Sequence, residues 1–229
     1  LRMPTASRKF RVLNFHGIGT PHRVLDPLED VFWIGIDRFR DVLDRIAVHS
    51  DRERLFITFD DGNISDFLIA VPELQRRGLS AEFFVLTGRI GDPGSLGPED
   101  IRALLQMGMR IGSHGIAHRD WTSLSARELN NELNASKATL ERICCEPIRC
   151  AAIPFGRYNA AVLAALQRAG YVAAYSSDGG CMQTTAFLRP RTSIRHDTLD
   201  GELTEILSGK MSNLRWLRRA AAMAIKRWV

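Results

Sequence analysis

The sequence predicts an α/β fold in a single domain, with parallel strands connected by crossover helices. Short apolar, β-rich runs alternate with longer stretches of helical period along the chain. The 229 residues are enough to bury a sizeable core and do not require a second domain. The composition, 45% apolar and 25% charged, is that of an ordinary globular protein without a Pro-, Gly- or Ser-rich linker. These observations favour repeated β/α units.

Seven segments have the length and composition of buried strands, and several run directly into polar residues. They are residues 11–15, 55–59, 81–86, 110–112, 150–153, 172–176 and 192–194. Repeated β/α units form either a (β/α) barrel or an open doubly wound sheet, and in both folds ligands bind at the carboxyl ends of the strands. We therefore expect the functional residues at those ends.

Helical periodicity predicts six helices between or after these strands, each with an apolar stripe that can face the sheet. The ranges are 37–48, 64–77, 98–107, 125–142, 159–169 and 200–208. Local signals mark two of the starts. Ser125 with Glu128 forms a capping box, and Pro98 after Gly97 suits the first position of a helix.

The basic charge of the chain is concentrated at its C-terminal end. Lys and Arg number 31 against 26 Asp and Glu, and five of the basic residues but no acid lie in residues 214–229. The rest of the chain is balanced, which argues against a nucleic-acid-binding surface. Residues 212–229 have the spacing of a basic amphipathic helix, which could dock on the domain of residues 1–211 or contact an anionic membrane surface.

No segment approaches the roughly 18 apolar residues of a membrane-spanning helix, and residues 1–15 lack the apolar stretch of a signal peptide. We therefore expect a cytoplasmic protein, peripheral at the inner face of the membrane if its C-terminal helix binds lipid. The four cysteines have no CxxC spacing and are interpreted as reduced thiols.

Two adjacent carboxylates, Asp60 and Asp61, follow the strand of residues 55–59 and precede Gly62. Neighbouring side chains diverge at the end of a strand, so one carboxylate can bind a metal while the other stays free. For this motif alone, an Asp-Gly turn with a capping carboxylate is the alternative.

His114 and His118 follow the strand of residues 110–112 with a spacing of four. A helical turn would place both imidazoles on one side, which suits a divalent metal. Two surface or capping histidines are the alternative for an isolated pair. Combined with one carboxylate, the two imidazoles form a facial set with open positions, as a hydrolytic metal site requires.

Three ordered motifs now resemble those of the NodB-homology polysaccharide deacetylases, a group similar to carbohydrate esterase family 4. TFDDG (58–62) resembles the first motif, SHGIAH (113–118) the second and IPFG (153–156) the third. The resemblance covers roughly residues 10 to 200. It implies a distorted (β/α)7 barrel of about seven units. It also implies a metal-dependent hydrolase that removes N-acetyl groups from an N-acetylated glycan or a lipid-linked sugar, of the exopolysaccharide or chitooligosaccharide type.

The resemblance also implies roles for individual residues. The divalent metal, Zn or in its place Co or Ni, would be held by Asp61, His114 and His118. Asp60 would be the general base that takes a proton from the attacking water. The third-motif loop would bind the substrate and stabilise the oxyanion, through the Phe155 backbone N–H and its neighbours Pro154, Gly156 and Tyr158. A rigid turn is the alternative for this loop.

The sequence departs from the family pattern at the arginine that usually pairs with the base, because that position is Ala152. Arg189, Arg191 and Arg195 lie near the last strand, and Arg191 is similar to an arginine of the subgroup with this third motif. Solvated arginines around a turn are the alternative.

The general acid is also open, between His16 at the end of the first strand and His196 after the last. Barrel closure would bring both strand ends together. We favour His16, which resembles a histidine of the poly-N-acetylglucosamine deacetylase branch, although it could merely cap the strand end. Asp178 resembles the fourth motif and could pair with an arginine, bind sugar hydroxyls or form a turn.

Two other functions remain open. One is a related amide hydrolase of the same fold, such as a deformylase of a lipid-linked amino sugar. The other is a non-catalytic carbohydrate-binding protein, which Ala152 and the ambiguous general acid suggest. A free carboxylate beside a metal site argues for an enzyme, because a binding module does not need one.

Overall fold

We describe a computed structural model of the chain, which defines residues 9–209, 221 and 223–226. The strands of this part are β1 (Phe10–Phe15), β2 (Gly17–Ile18), β3 (Trp33–Ile34), β4 (Leu55–Asp61), β5 (Glu82–Val85), β6 (Arg110–Ser113), β7 (Cys150–Ala152), β8 (Ala173–Ser176), β9 (Cys181–Met182), β10 (Leu188–Pro190) and β11 (Thr192–Ser193). The α-helices are α1 (Ile36–Ala47), α2 (Val71–Arg76), α3 (Pro98–Gln106), α4 (Ala126–Cys144), α5 (Ala160–Arg168) and α6 (Asp200–Ser208).

The main sheet follows the order β10-β8-β7-β6-β5-β4-β1-β11 and is parallel along this path, while β9 adds to β1 in the antiparallel sense. Only Arg191 separates β10 from β11, yet β10 pairs with β8 and β11 pairs with β1. The last strand thus changes neighbours at Arg191, and the sheet curls back on itself. The expected distorted (β/α)7 barrel is confirmed, and the open sheet is excluded.

Successive side chains of each strand point alternately to an outer layer covered by helices and to the barrel interior. On β4, Phe59 packs in the outer layer, where its ring stacks on Phe83 at 4.7 Å. The interior is filled by a smaller cluster that includes Phe84 and Tyr175. Gly112 makes room there, because a Cβ at this position would lie 2.4 Å from the Phe84 ring.

The two helix starts predicted from local sequence signals are confirmed. The Ser125 hydroxyl accepts from the Glu128 amide while the Glu128 carboxylate accepts from the Ser125 amide, and Pro98 begins α3. The helix expected over residues 64–77 is instead a π-helical segment (Asp66–Ala70) that runs into α2. Pro72 lies at the start of α2 and has no N–H for a regular α-helical bond.

Most of the C-terminal helix predicted for residues 212–229 lies outside the described residues, although residues 221 and 223–226 are helical. None of the described helices has the length and apolar character needed to cross a bilayer. All four cysteines are free thiols, as expected.

Candidate metal centre and catalytic residues

The carboxyl ends of β4 and β6 bring one carboxylate and two imidazoles together. Asp61 Oδ1 lies 3.6 Å from His114 Nε2 and 3.8 Å from His118 Nε2. One ligand atom from each residue can be chosen so that all three lie within 4.8 Å of one another. The buried Asp61 Oδ1 accepts no hydrogen bond within the described part of the chain. A buried carboxylate oxygen facing two imidazole nitrogens is the donor set of a divalent metal site, so the residues fit the expected ion.

The connection between the two histidines is a loop, so the expected helical turn is wrong. Gly115 and His118 have positive φ angles of 84° and 49°, which turn the chain back toward Asp61. Glu132 of α4 anchors the loop by accepting a 2.7 Å hydrogen bond from the Ile116 amide. The loop therefore brings His118 to the metal site by left-handed backbone rather than by helical spacing.

Both imidazoles are suited to act as neutral ligands. His114 Nδ1 lies 2.9 Å from the Ala152 carbonyl oxygen. A ring that donates from Nδ1 keeps its Nε2 lone pair directed at the Asp61 side. Burial lowers the pKa of His118, although the nearby Asp61 carboxylate opposes this shift. Metal ions bind the neutral form of imidazole.

Asp60 lies outside this ligand group and is held inside the barrel, where it is 3% exposed. Arg191 donates from Nη1 to Oδ1 and from Nη2 to Oδ2, both at 2.7 Å. Asn14 Nδ2 adds a third hydrogen bond to Oδ2 at 3.0 Å. Burial alone would raise the pKa of Asp60, but the Arg191 guanidinium and neighbouring histidines outweigh it and hold this pKa far below its usual value. Asp60 is therefore an ionised carboxylate.

Arg191 is the arginine that contacts Asp60, out of the three that the sequence left open. It is fully buried between the rings of Phe84 and Tyr175, whose centroids lie 5.3 Å and 5.7 Å from its Cζ. Arg189 instead bonds to the Tyr175 hydroxyl and to backbone carbonyls. Arg195 pairs with Asp197 at the surface.

The pairing of β1 with β4 brings His16, and not His196, next to Asp60. His16 Nε2 lies 3.9 Å from Asp60 Oδ2, and its ring packs on Phe32 with a centroid distance of 4.7 Å. His196 is exposed, and its backbone amide bonds to the Val31 carbonyl. Of the two histidines that the sequence left open for the general acid, His16 is therefore the one beside Asp60, because His196 lies beyond the end of β11.

The third-motif loop borders the metal ligands. Pro154, Phe155 and Gly156 form a short 3-10 turn in which Phe155 has a φ of 57°. The Phe155 ring is 56% exposed and lies 4.4 Å from the His118 ring. A Cβ at Gly156 would lie 2.8 Å from Ser177, so the turn packs closely on the chain after β8.

Asp178 forms hydrogen bonds with residues next to this loop. Its Oδ2 accepts from the hydroxyls of Tyr158 at 2.9 Å and Ser176 at 2.6 Å. Its Oδ1 pairs with Lys226 Nζ at 2.7 Å. Among the described residues, the cation beside Asp178 is therefore Lys226 of the C-terminal segment.

Asn14 and Lys226 were missed by sequence reasoning. Asn14 could have been noticed, because it is a polar residue within the otherwise apolar end of strand β1. Lys226 carries no such signal, since the sequence does not show which part of the domain a C-terminal segment contacts.

A family model described as polysaccharide deacetylase matches residues 47–174. Over 126 residues the chain is 29% identical to YxkH of Bacillus subtilis (strain 168), whose curated name is that of a polysaccharide deacetylase. That match covers 55% of this chain and 45% of YxkH, so it spans less than half of that relative.

Two solved structures share the fold. The Streptococcus pyogenes deacetylase PplD, in complex with acetate, has a TM-score of 0.75 and 21% identity, covering 88% of this chain and 99% of its own. IcaB from Ammonifex degensii has a TM-score of 0.71 and 19% identity, covering 88% of this chain and 96% of its own.

Proposed function

The chain belongs to the polysaccharide deacetylase family, and on that premise we propose that it is a metal-dependent hydrolase of N-acetyl groups. Its substrate would be an N-acetylated glycan or a lipid-linked sugar. One observation carries the proposal: a ligand group of Asp61, His114 and His118 lies beside a separate carboxylate, Asp60, that is kept ionised. A site that only bound metal would not need this second, clamped carboxylate.

Asp61, His114 and His118 would hold the ion, and Zn is the metal that two imidazoles and one carboxylate suit best, with Co or Ni in its place. When bound, the ion supplies an activated water and polarises the acetyl carbonyl. Three protein ligands leave open positions for water and substrate, which distinguishes such a site from a structural one.

Asp60 would accept the proton of the attacking water. Its low pKa makes it a weak base, so it can take a proton only from a water whose acidity has been raised. A metal-activated water would have this raised acidity, so Asp60 would act only together with the metal centre. Arg191 and Asn14 hold both carboxylate oxygens, so the base stays beside the metal ligands without joining them.

His16 would donate a proton to the departing amine. Its Nε2 lies 3.9 Å from Asp60 Oδ2. Asp60, which would take a proton from the water, is therefore close to His16, which would supply one to the amine. The Phe155 N–H would stabilise the developing oxyanion, with its orientation set by the left-handed backbone at that residue. The exposed Phe155 ring offers an apolar wall beside His118 for a sugar ring or acetyl methyl.

A cytoplasmic location and peripheral membrane contact through residues 212–229 remain predictions. No observation on the described residues favours the deformylase or the binding protein. The experiment below nevertheless distinguishes them from the deacetylase.

The test is an assay of product release after removal of bound metal with a chelator. Chitooligosaccharides, poly-N-acetylglucosamine and an N-formylated amino sugar are each incubated with the apoprotein and with added Zn, Co or Ni, and acetate and formate are both measured. We expect acetate release that returns with metal. Formate alone would indicate the deformylase, and neither product from any substrate would contradict the proposal.

Variants assign the roles. His118→Ala, whose side chain is partly exposed, should lose the single equivalent of bound metal, whereas Asp60→Asn should keep the metal and release acetate about 10²- to 10⁴-fold more slowly. His16→Ala should lower activity, and His196→Ala is the matched control because His196 is exposed. Unchanged metal content in His118→Ala would contradict the ligand assignment.

A further inference from the structure

Asn14 lies where the barrel closes. It is fully buried on β1, and in the sheet its Cα faces Thr58 of β4 on one side and Ser193 of β11 on the other. A polar side chain at such a position must satisfy its hydrogen bonds within the protein, because no solvent reaches it.

The Asn14 side-chain amide forms hydrogen bonds with both Asp60 and Arg191. Its Oδ1 accepts from Arg191 Nη1 at 2.8 Å and from the Thr58 hydroxyl at 2.7 Å. Its Nδ2 donates to Asp60 Oδ2 at 3.0 Å and, more weakly, to Ser193 Oγ at 3.4 Å. An ionised carboxylate only accepts hydrogen bonds and a guanidinium only donates them. An amide, which has one end of each kind, is therefore matched to this place.

Arg191 is otherwise held incompletely. The rings of Phe84 and Tyr175 contact its guanidinium, while its buried Nε has no hydrogen-bond partner among the described residues. Ring faces attract a cation but fix no hydrogen-bond direction. The bonds from Nη1 to Asn14 and Thr58 supply that direction and hold the Nη1–Nη2 edge toward Asp60.

We infer that Asn14 is a positioning residue that fixes Asp60 and Arg191 as one rigid unit. This inference rests on the proposed role of Asp60 as the base. Without the Asn14 amide, Asp60 loses one of its donors and Arg191 loses an acceptor. The carboxylate can then rotate away from the direction in which it must receive a proton. The water-activation step slows, while metal and substrate binding are untouched.

The test compares Asn14→Leu and Asn14→Asp with wild type in the metal-loaded enzyme. Leucine is close in size and removes the hydrogen bonds to both Asp60 and Arg191, whereas aspartate keeps an acceptor for Arg191 but removes the donor to Asp60. Hydrogen bonds to charged groups predict a loss in kcat on the order of 10- to 100-fold for both variants. We expect KM within about twofold and one bound metal, as positional loss of a base predicts. Ser193→Ala, which removes only the 3.4 Å contact, is the matched control and should stay within about twofold of wild type.

The decisive measurement combines Asn14→Leu with Asp60→Asn. If Asn14 acts through Asp60, the double variant is no slower than Asp60→Asn alone. A further loss in the double variant, a kcat within about threefold of wild type in Asn14→Leu, or a loss expressed only in KM or metal content would each overturn the inference. If Asn14→Leu does not fold, Asn14→Asp provides the same comparison. Full activity of Asp60→Asn would instead contradict the proposed function, whatever Asn14 does.

Discussion

Substituting Arg191 by methionine tests how strongly the barrel depends on the buried ion pair. Methionine retains much of the apolar contact with Phe84 and Tyr175 but removes both guanidinium hydrogen bonds to Asp60. The carboxylate is then left with the Asn14 amide as its donor among the described residues. We expect a large loss in the free energy of unfolding.

The magnitude follows from two limits. Removing one partner of a buried ion pair costs about 3–5 kcal/mol. The variant can instead protonate Asp60, which costs about 4 kcal/mol at pH 7 for a group with an unfolded pKa near 3.9. Protonation therefore caps the loss, and we expect about 3–4 kcal/mol at pH 7 in the metal-free protein.

The pH dependence has a definite sign. In the wild type the pKa of Asp60 is lowered on folding, so its contribution to stability is present above the unfolded pKa and is lost as pH falls through the folded value. In the variant, folding takes up a proton at neutral pH, and this becomes easier by about 1.4 kcal/mol for each pH unit toward 4. The difference between wild type and variant should therefore narrow as pH falls from 7 to 5.

Urea unfolding followed by tryptophan fluorescence, in chelator at pH 7 and pH 5, measures this difference. Arg189→Met on β10 is the control, since Arg189 is partly buried but does not touch Asp60, and should cost about 1 kcal/mol. A loss below about 1 kcal/mol for Arg191→Met at pH 7, or an equal loss at both pH values, would refute this reasoning.

Two further predictions concern the cysteines near the end of α4. Cys145 caps this helix with a φ of 56°, a conformation that favours glycine. Cys145→Gly should therefore raise the free energy of unfolding by about 1 kcal/mol. An unchanged or lower thermal midpoint would show that the residue is not strained. Burial raises the pKa of Cys144 to about 11 and of Cys150 to about 12. Iodoacetamide at pH 8 should therefore label the exposed Cys145 well before either, and equal rates by peptide mass spectrometry would contradict this.

The helices and the longer strands could be predicted to within a few residues because their apolar periodicity reflects one buried face. The short strands β2, β3 and β9 have two residues each, too few for any period to show. The predicted strand 192–194 corresponds to β11, but β10 was not predicted, and the chain is interrupted at Arg191 between the two. Its interruption depends on which neighbour each half pairs with, and this is a property of the closed barrel rather than of local sequence.

The candidate site could also be predicted only in part. Asp61, His114 and His118 could be brought together from the rule that parallel strands end at one edge, although the helical turn between the histidines was wrong because Gly115 is left-handed. The preference for Arg191 and His16 came from the family resemblance and not from the residues themselves, since it depends on contacts that local sequence does not show. Arg191 and Asp60 are 131 residues apart.

The change of neighbours at Arg191 has a consequence for how the chain acquires activity. The candidate metal ligands lie on β4 and on the loop after β6, and they fall within the segment of residues 47–174 that the family model matches. Asn14, His16 and Arg191 fall outside that segment. Asn14 and His16 reach Asp60 through the pairing of β1 with β4, whereas Arg191, 131 residues from Asp60, reaches it only when β11 has paired with β1. Contacts between distant residues form late in folding when they need long loops to close. On the proposed function, a chain in which β11 has not yet paired with β1 would hold metal but lack the guanidinium beside its base. Acetate release would then report the completed barrel, and metal content would not.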